Sequence, residues 1–146
     1  MTHHIAQLNV GILVAPPGDE RVAPFVDALD EINALADAAP GFVWRLQSDS
    51  GNALDIRVFD DPSVALNMSV WESIEALHHY AYRTAHVDFF KRRAEWFEPP
   101  TEPGTVLWWV PAGHIPTPEE GAERLQQLRQ EGPTPAAFTF AKRFDP

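Results

Sequence analysis

Two groups of side chains have the types and spacing that chemistry requires. The first runs through Glu75, His79, Tyr82, Arg83, His86, Phe90 and Arg93. At about 100° per residue of helix, Glu75, His79, Tyr82, His86, Phe90, Arg93 and Phe97 fall within roughly 40° of the His86 direction, with Arg83 and Phe89 about 60° to either side. A stripe that mixes His, Arg, Glu and Tyr with Phe can line a cavity between helix and sheet, where a few polar groups orient an otherwise apolar ligand. In that role His86 is a proton acceptor near neutral pH. Arg83 or Arg93 then stabilises developing negative charge. A plainer reading stands beside it: Glu75–His79 and Phe90–Arg93 are ordinary surface neighbours, and His86 is a buried group bonded to Tyr82 or a backbone carbonyl.

The second group is Trp44, Trp108, Trp109 and His114. Adjacent residues of a strand point to opposite faces, so one of Trp108 and Trp109 belongs to the core under the helices and the other to the far surface of the sheet. Trp44 or Trp109 is the expected packing wall for a ligand. His114, after Gly113, either closes the mouth of a pocket or satisfies a turn. Trp44 and Arg45 alternate, so at most one of them sees the cavity. His79 and His86 lie two turns apart, about 10 Å along a helix axis, too far to chelate one ion unaided. The chain has no Gly-rich phosphate loop, GxSxG or HExxH, which leaves nucleotide hydrolysis, the hydrolase elbow and zinc proteolysis without support. No cofactor is implied, although one His in an aromatic cavity would suffice for haem.

These groups must be held by a single domain of 146 residues. Apolar residues make up 45% of it, with 5 Trp and 9 Phe to fill a core. A formal charge of −10, from 11 Lys plus Arg against 21 Asp plus Glu, repels phosphate backbones and argues against nucleic acid. No apolar run is long enough to span a bilayer. The absence of cysteine excludes thiol chemistry and is compatible with a reducing cytoplasm.

The chain reads as alternating elements. Ile5–Val14 is a β-branched strand ended by Pro16-Pro17-Gly18-Asp19. Val22, Phe25, Val26, Leu29, Ile32 and Ala36 mark a helix that starts at Asp19 or, because Pro24 belongs in a first turn, at Ala23. Phe42–Ser48 is a strand with Phe42, Trp44 and Leu46 on one face and Val43, Arg45 and Gln47 on the other. Leu54, Ile56 and Val58 alternate as a short strand does until Asp60-Asp61-Pro62. Ala65–Trp71 is a firmer strand, followed by a helix expected to run unbroken from Ile74 to Phe97, capped by Glu72 or Ser73. Val106–Val110 is a strand. Thr117-Pro118-Glu119-Glu120 is a capping box opening a helix that ends at Gly132-Pro133, and Phe138–Phe144 is a last short strand or extended tail.

That order is a βαββαβ ferredoxin-like unit with an added C-terminal helix, an α+β fold with both main helices on one face of an antiparallel sheet. Large apolar side chains left wet on the other face cost about 1.5–3 kcal/mol each relative to burial. A second subunit laid sheet to sheet removes that cost, so a homodimer is expected; a monomer whose extra helix covers the face is the competing arrangement.

Asn67-Met68-Ser69-Val70-Trp71-Glu72-Ser73, Tyr82-Arg83-Thr84-Ala85-His86, Arg92-Arg93-Ala94-Glu95-Trp96-Phe97, the run Leu107 to Pro116, Gly132 to Phe138, and Pro40 to Arg45 together resemble the bacterial domain-of-unknown-function family DUF3291. The resemblance spans nearly the whole chain. It implies the dimeric α/β-barrel superfamily, alongside antibiotic-biosynthesis monooxygenases, and with it cofactor-free oxygenases, haem-using enzymes and isomerases. The expected function is a cofactor-independent monooxygenase or isomerase acting on an apolar aromatic or polyketide-like substrate. The alternatives are a non-catalytic dimeric ligand-binding or structural protein and a haem-binding protein. Under the first, His86, Arg83 and Arg93 are catalytic, and Trp44, His79, Tyr82, Phe90, Trp109 and His114 bind substrate, with no metal.

Overall fold

The computed structural model describes residues 2–16, 18–47, 64–83 and 92–146. His86 and Phe90 lie outside the described residues, as does the expected strand at Leu54–Val58. Among the described residues four strands form one sheet in the order β2-β3-β1-β4: β1 is His3–Ile12, β2 Phe42–Arg45, β3 Val64–Trp71 and β4 Thr105–Pro111. Every pairing is antiparallel. β1 is central, with Ile5 opposite Trp71 on one side and Trp109 on the other.

Helix α1 (Ala23–Asp37) begins where Pro24 requires, after a 3-10 turn at Glu20–Val22. Its exit turn passes through Gly41, whose φ of +83° suits glycine, and an added Cβ there would meet Ala76 Cβ at 2.5 Å. Helix α2 (Ile74–Arg83) starts beyond Ser73, whose hydroxyl accepts from the Ala76 N–H. Both helices lie on one face, where Ala36, Ile74 and Leu77 join Ile5, Trp71, Leu107 and Phe138 in a core. A third cluster closes the far end of β1: Leu13, Ala15, Val22 and Trp96, with Phe25 and Phe97 against them.

The expected unbroken helix to Phe97 is not what forms. Arg92 is in a turn, a short helix α3 spans Arg93–Trp96, and Phe97 is bridged to Leu13. The extension of β1 takes this segment as a partner, with Val14 N–H donating to Trp96 O and Glu98 N–H to Ile12 O, both at 2.8 Å. Continuing the helix would leave these backbone groups, and the Phe97 ring seated over Gly11, without their partners.

The face expected to be bare is covered by the chain's own helix α4 (Pro118–Glu131). Leu125 and Leu128 of α4 complete a core with Ala6, Leu8, Met68, Val70, Val106, Trp108 and Val110. Trp108 is therefore the tryptophan of the far face, and it is fully buried without a partner subunit. The strict alternation expected in β2 also fails. The register slips between Phe42 and Trp44, so Phe42 packs on the helix side while Val43, Trp44 and Leu46 all pack on the α4 side. The β-bulge re-aims Trp44 away from α1 and α2.

Gly121 lets α4 approach the sheet closely. A Cβ there would lie 3.0 Å from Met68 Sδ and 3.3 Å from Leu8 Cδ1. Gly121→Val should therefore destabilise the protein by about 1–3 kcal/mol through overpacking, read as a lower urea midpoint. Unchanged stability would mean that α4 does not seat at this point.

Candidate functional site

The helix-facing side of the sheet carries polar residues where an ordinary core has none. Gln7 and Asn9 of β1 stand opposite Ser69 and Asn67 of β3, and Asn9 also stands opposite Thr105 of β4. The Gln7 amide donates to Asn67 Oδ1 at 2.9 Å and to Ser69 Oγ at 2.8 Å. Ser69 Oγ also accepts from the Trp71 indole at 2.8 Å. Asn9 Nδ2 donates to Thr105 Oγ1. Gln7 and Ser69 are each only 8% exposed, whereas Asn67 is exposed, so the ladder is buried at one end and open at the other.

Its buried end is held rigidly. Trp71 is stacked on Tyr80 with centroids 5.1 Å apart and met edge-on by Phe42 at 5.5 Å. The Tyr80 hydroxyl donates to Ile32 O, and burial pushes its pKa up to about 12. Arg45, opposite Ser69 in β2, turns to the helix side and makes a two-pronged pair with Asp37, at 2.8 and 3.3 Å.

The chemistry of the ladder follows from counting donors. Ser69 Oγ receives two N–H groups, which leaves its hydroxyl hydrogen as an outgoing donor. Asn67 Oδ1 is taken by Gln7, which leaves its NH₂ as the donor at the open end. The ladder is neutral, and the Ser69 O–H and the Asn67 NH₂ are the donors it leaves over the sheet. Such a surface suits carbonyl or phenolate oxygen.

The expected site residues separate. Glu75, His79 and Tyr82 are exposed on the outer side of α2, because Ile74, Leu77 and Tyr80 take the side facing the sheet and α1. His79 lines a surface cleft of about 340 Å³ with Glu75, His78 and Arg143, and Tyr82 packs beside it on His78 and Phe140. Neither His79 nor Tyr82 walls a cavity against the sheet. Trp44 is also excluded from that role by its place under α4. Trp109 is on the helix side, with its indole donating to Phe144 O at 2.7 Å. Arg83 closes α2 and Arg93 opens α3.

His114 belongs to a different cleft, of about 600 Å³, lined by Trp109, Val110, Pro111, Glu120, Glu123, Arg124 and Gln127. Its Nε2 is 2.9 Å from Glu120 Oε1, while Glu120 Oε2 accepts from the Trp108 indole at 2.9 Å. Only half of the anticipated capping box forms: Thr117 Oγ1 accepts from Glu120 N–H, but the Glu120 carboxylate is spent on His114 and Trp108. Burial by itself raises the Glu120 pKa, but the hydrogen bonds from His114 and Trp108 outweigh it and hold the carboxyl below its ordinary value. Among the described residues, no group of three or more His, Cys, Asp or Glu is placed to hold a metal ion. No described helix is long and apolar enough to cross a membrane.

Sequence reasoning passed over Gln7, Asn9, Ser69 and Thr105 as chemical groups. Their signal was polar residues at every second position in strands whose two faces are both covered.

The order of elements and the antiparallel 2-3-1-4 sheet make this an α+β fold of the ferredoxin-like kind, shared with the solved structures named below. The chain itself belongs to the DUF3291 family, described as a domain of unknown function, which matches residues 4–146. Among solved structures it is similar to SnoaB, a cofactor-independent oxygenase from Streptomyces nogalater, at 14% identity and a TM-score of 0.52, over 78% of this chain and 97% of that one. It is also similar to NE2512, a protein of unknown function from Nitrosomonas europaea, at 14% identity and a TM-score of 0.51, over 80% of this chain and 96% of that one. At these identities the likeness defines the fold. No curated protein matches the sequence.

Two titrations test the geometry. Because the folded pKa of Glu120 is lowered, its contribution to stability is present above the ordinary glutamate range and fades as pH falls through the lowered value. Glu120→Gln should therefore have a lower Tm than the parent at neutral pH, with the gap closing in acid. Tyr80 has the opposite sign: its contribution is whole below pH 10.0 and is lost as pH climbs toward about 12. Tyr80→Phe should flatten alkaline unfolding over that interval, followed by phenolate absorbance and circular dichroism.

Proposed function

We propose that the helix side of the sheet binds an apolar aromatic or polyketide-like substrate and that the protein is a cofactor-independent monooxygenase or isomerase. The observation that carries this reading is the ladder Gln7–Ser69–Trp71, buried and hydrogen-bonded at one end, with the Ser69 O–H left to donate, and opening at Asn67. Neutral N–H and O–H donors fixed beside tryptophan suit a planar substrate whose carbonyl or phenol oxygen gains negative charge as a proton leaves. Donors already held in place need no reorganisation when that charge develops. Support also comes from the fold shared with SnoaB, a cofactor-independent oxygenase.

In this reading His86 remains the proton acceptor, with Arg83 or Arg93 as the stabilising cation and Phe90 and Trp109 as apolar walls. Arg45 is a further cation on this side of the sheet, already paired with Asp37. The expected homodimer and cytoplasmic location belong to the same reading, although the sheet face expected to meet a second copy carries α4.

The test is binding and turnover with a panel of polycyclic phenols and quinone precursors. Ligand should quench tryptophan fluorescence, and Ser69→Ala and Asn67→Ala should each weaken binding about tenfold, the loss of one or two hydrogen bonds. Oxygen uptake, or a substrate isomer without it, should accompany binding and disappear in His86→Ala. Binding with neither reaction would support the non-catalytic reading, and a Soret band after haem reconstitution the haem one. Binding insensitive to Ser69 and Asn67 would remove the ladder as the site.

A further inference from the structure

A second place on the molecule has unmet hydrogen-bonding groups, independent of the reading above. In the β1–β4 pair the backbone groups of β4 point alternately toward β1 and toward the outer edge. Ala112 N–H donates to Thr2 O and Val10 N–H to Gly104 O, while Leu107 exchanges both its bonds outward with Phe138, at 2.8 and 2.9 Å. Two residues on from Leu107, the N–H and C=O of Trp109 therefore also face outward, and neither has a partner among the described residues. This stretch of edge forms one wall of the cleft that also contains His114, Glu120, Glu123, Arg124 and Gln127.

The polar groups of the cleft are not equivalent. Glu120 is engaged by His114 and Trp108, and Glu123 is exposed. Arg124 is half-buried, spends one N–H on Ala136 O at 2.8 Å, and makes no ion pair among the described residues. Its guanidinium keeps further donors in the plane that suits a carboxylate. The cleft thus combines a backbone donor–acceptor pair, which matches the N–H and C=O of one residue, with a cation.

We propose that this cleft binds a small carboxylate-bearing amide of the kind found at the C-terminal end of a peptide. The N–H and C=O of one residue of the ligand pair with those of Trp109 as Phe138 already pairs with Leu107, and the carboxylate meets Arg124. The Glu120 tie fixes His114 at the rim, and the Glu120 charge acts on Arg124 through space without forming an ion pair with it.

The experiment is calorimetric titration of the full chain with N-acetyl-dialanine as its free acid and, separately, as its C-terminal carboxamide. The acid should bind saturably, the carboxamide at least tenfold more weakly, and Arg124→Gln should abolish the difference. No binding of the acid, or equal binding of the two forms by the parent protein, would overturn the proposal whether or not the variant folds. Discrimination that survives Arg124→Gln would overturn the assignment to Arg124.

Discussion

The structure depends on one constraint: a four-stranded sheet is covered on both faces by a single short chain. α1 and α2 take one face and α4 takes most of the other. Alternation then leaves few residues of the central strands free to face water, so polar side chains there must find one another. Gln7, Ser69 and Trp71 do so, the Gln7 amide and the Trp71 indole both donating to Ser69 Oγ. Only at Asn67 does the network reach solvent. A buried network with one open end is costly to maintain for packing alone and well suited to receiving a ligand.

α4 is held in place by both packing and charge. Gly121 lets its backbone approach Leu8 and Met68, and Leu125 and Leu128 supply the apolar contact. At its first turn Glu120 departs from the reciprocal capping arrangement and joins Trp108, deep in the core, to His114 in the connecting turn. One carboxylate thereby links helix, strand and turn. SnoaB is matched over 97% of its length but only 78% of this chain, so this chain carries structure beyond the shared fold.

The β-bulge at Phe42–Trp44 shows how a local irregularity changes a functional reading. With strict alternation, Phe42 and Trp44 share a face. With one residue inserted, Phe42 reaches Trp71 and Arg45 reaches Asp37 on the helix side, while Trp44 goes to the opposite core. The cation beside the ladder row is thus Arg45, and the tryptophan expected there is elsewhere.

Local signals in the sequence determined the elements. Pro24 set the start of α1, Thr117 and Gly132 set the ends of α4, the β-branched run from Ile5 located β1, and Ala65–Trp71 and Val106–Val110 were legible as β3 and β4. Each rests on backbone chemistry within a few residues, which is why the order of elements and the fold class were legible. The family resemblance was legible for the same chain of motifs. Tertiary structure decided the rest. Whether a helix past Ile74 continued to Phe97 depended on an unpaired stretch of β1 far away in sequence. Whether His79 and Tyr82 faced sheet or water depended on which side of α2 the sheet and α1 took. The ladder joins residues about sixty positions apart, and no periodicity within one segment reports a hydrogen bond that exists only once two strands are in register.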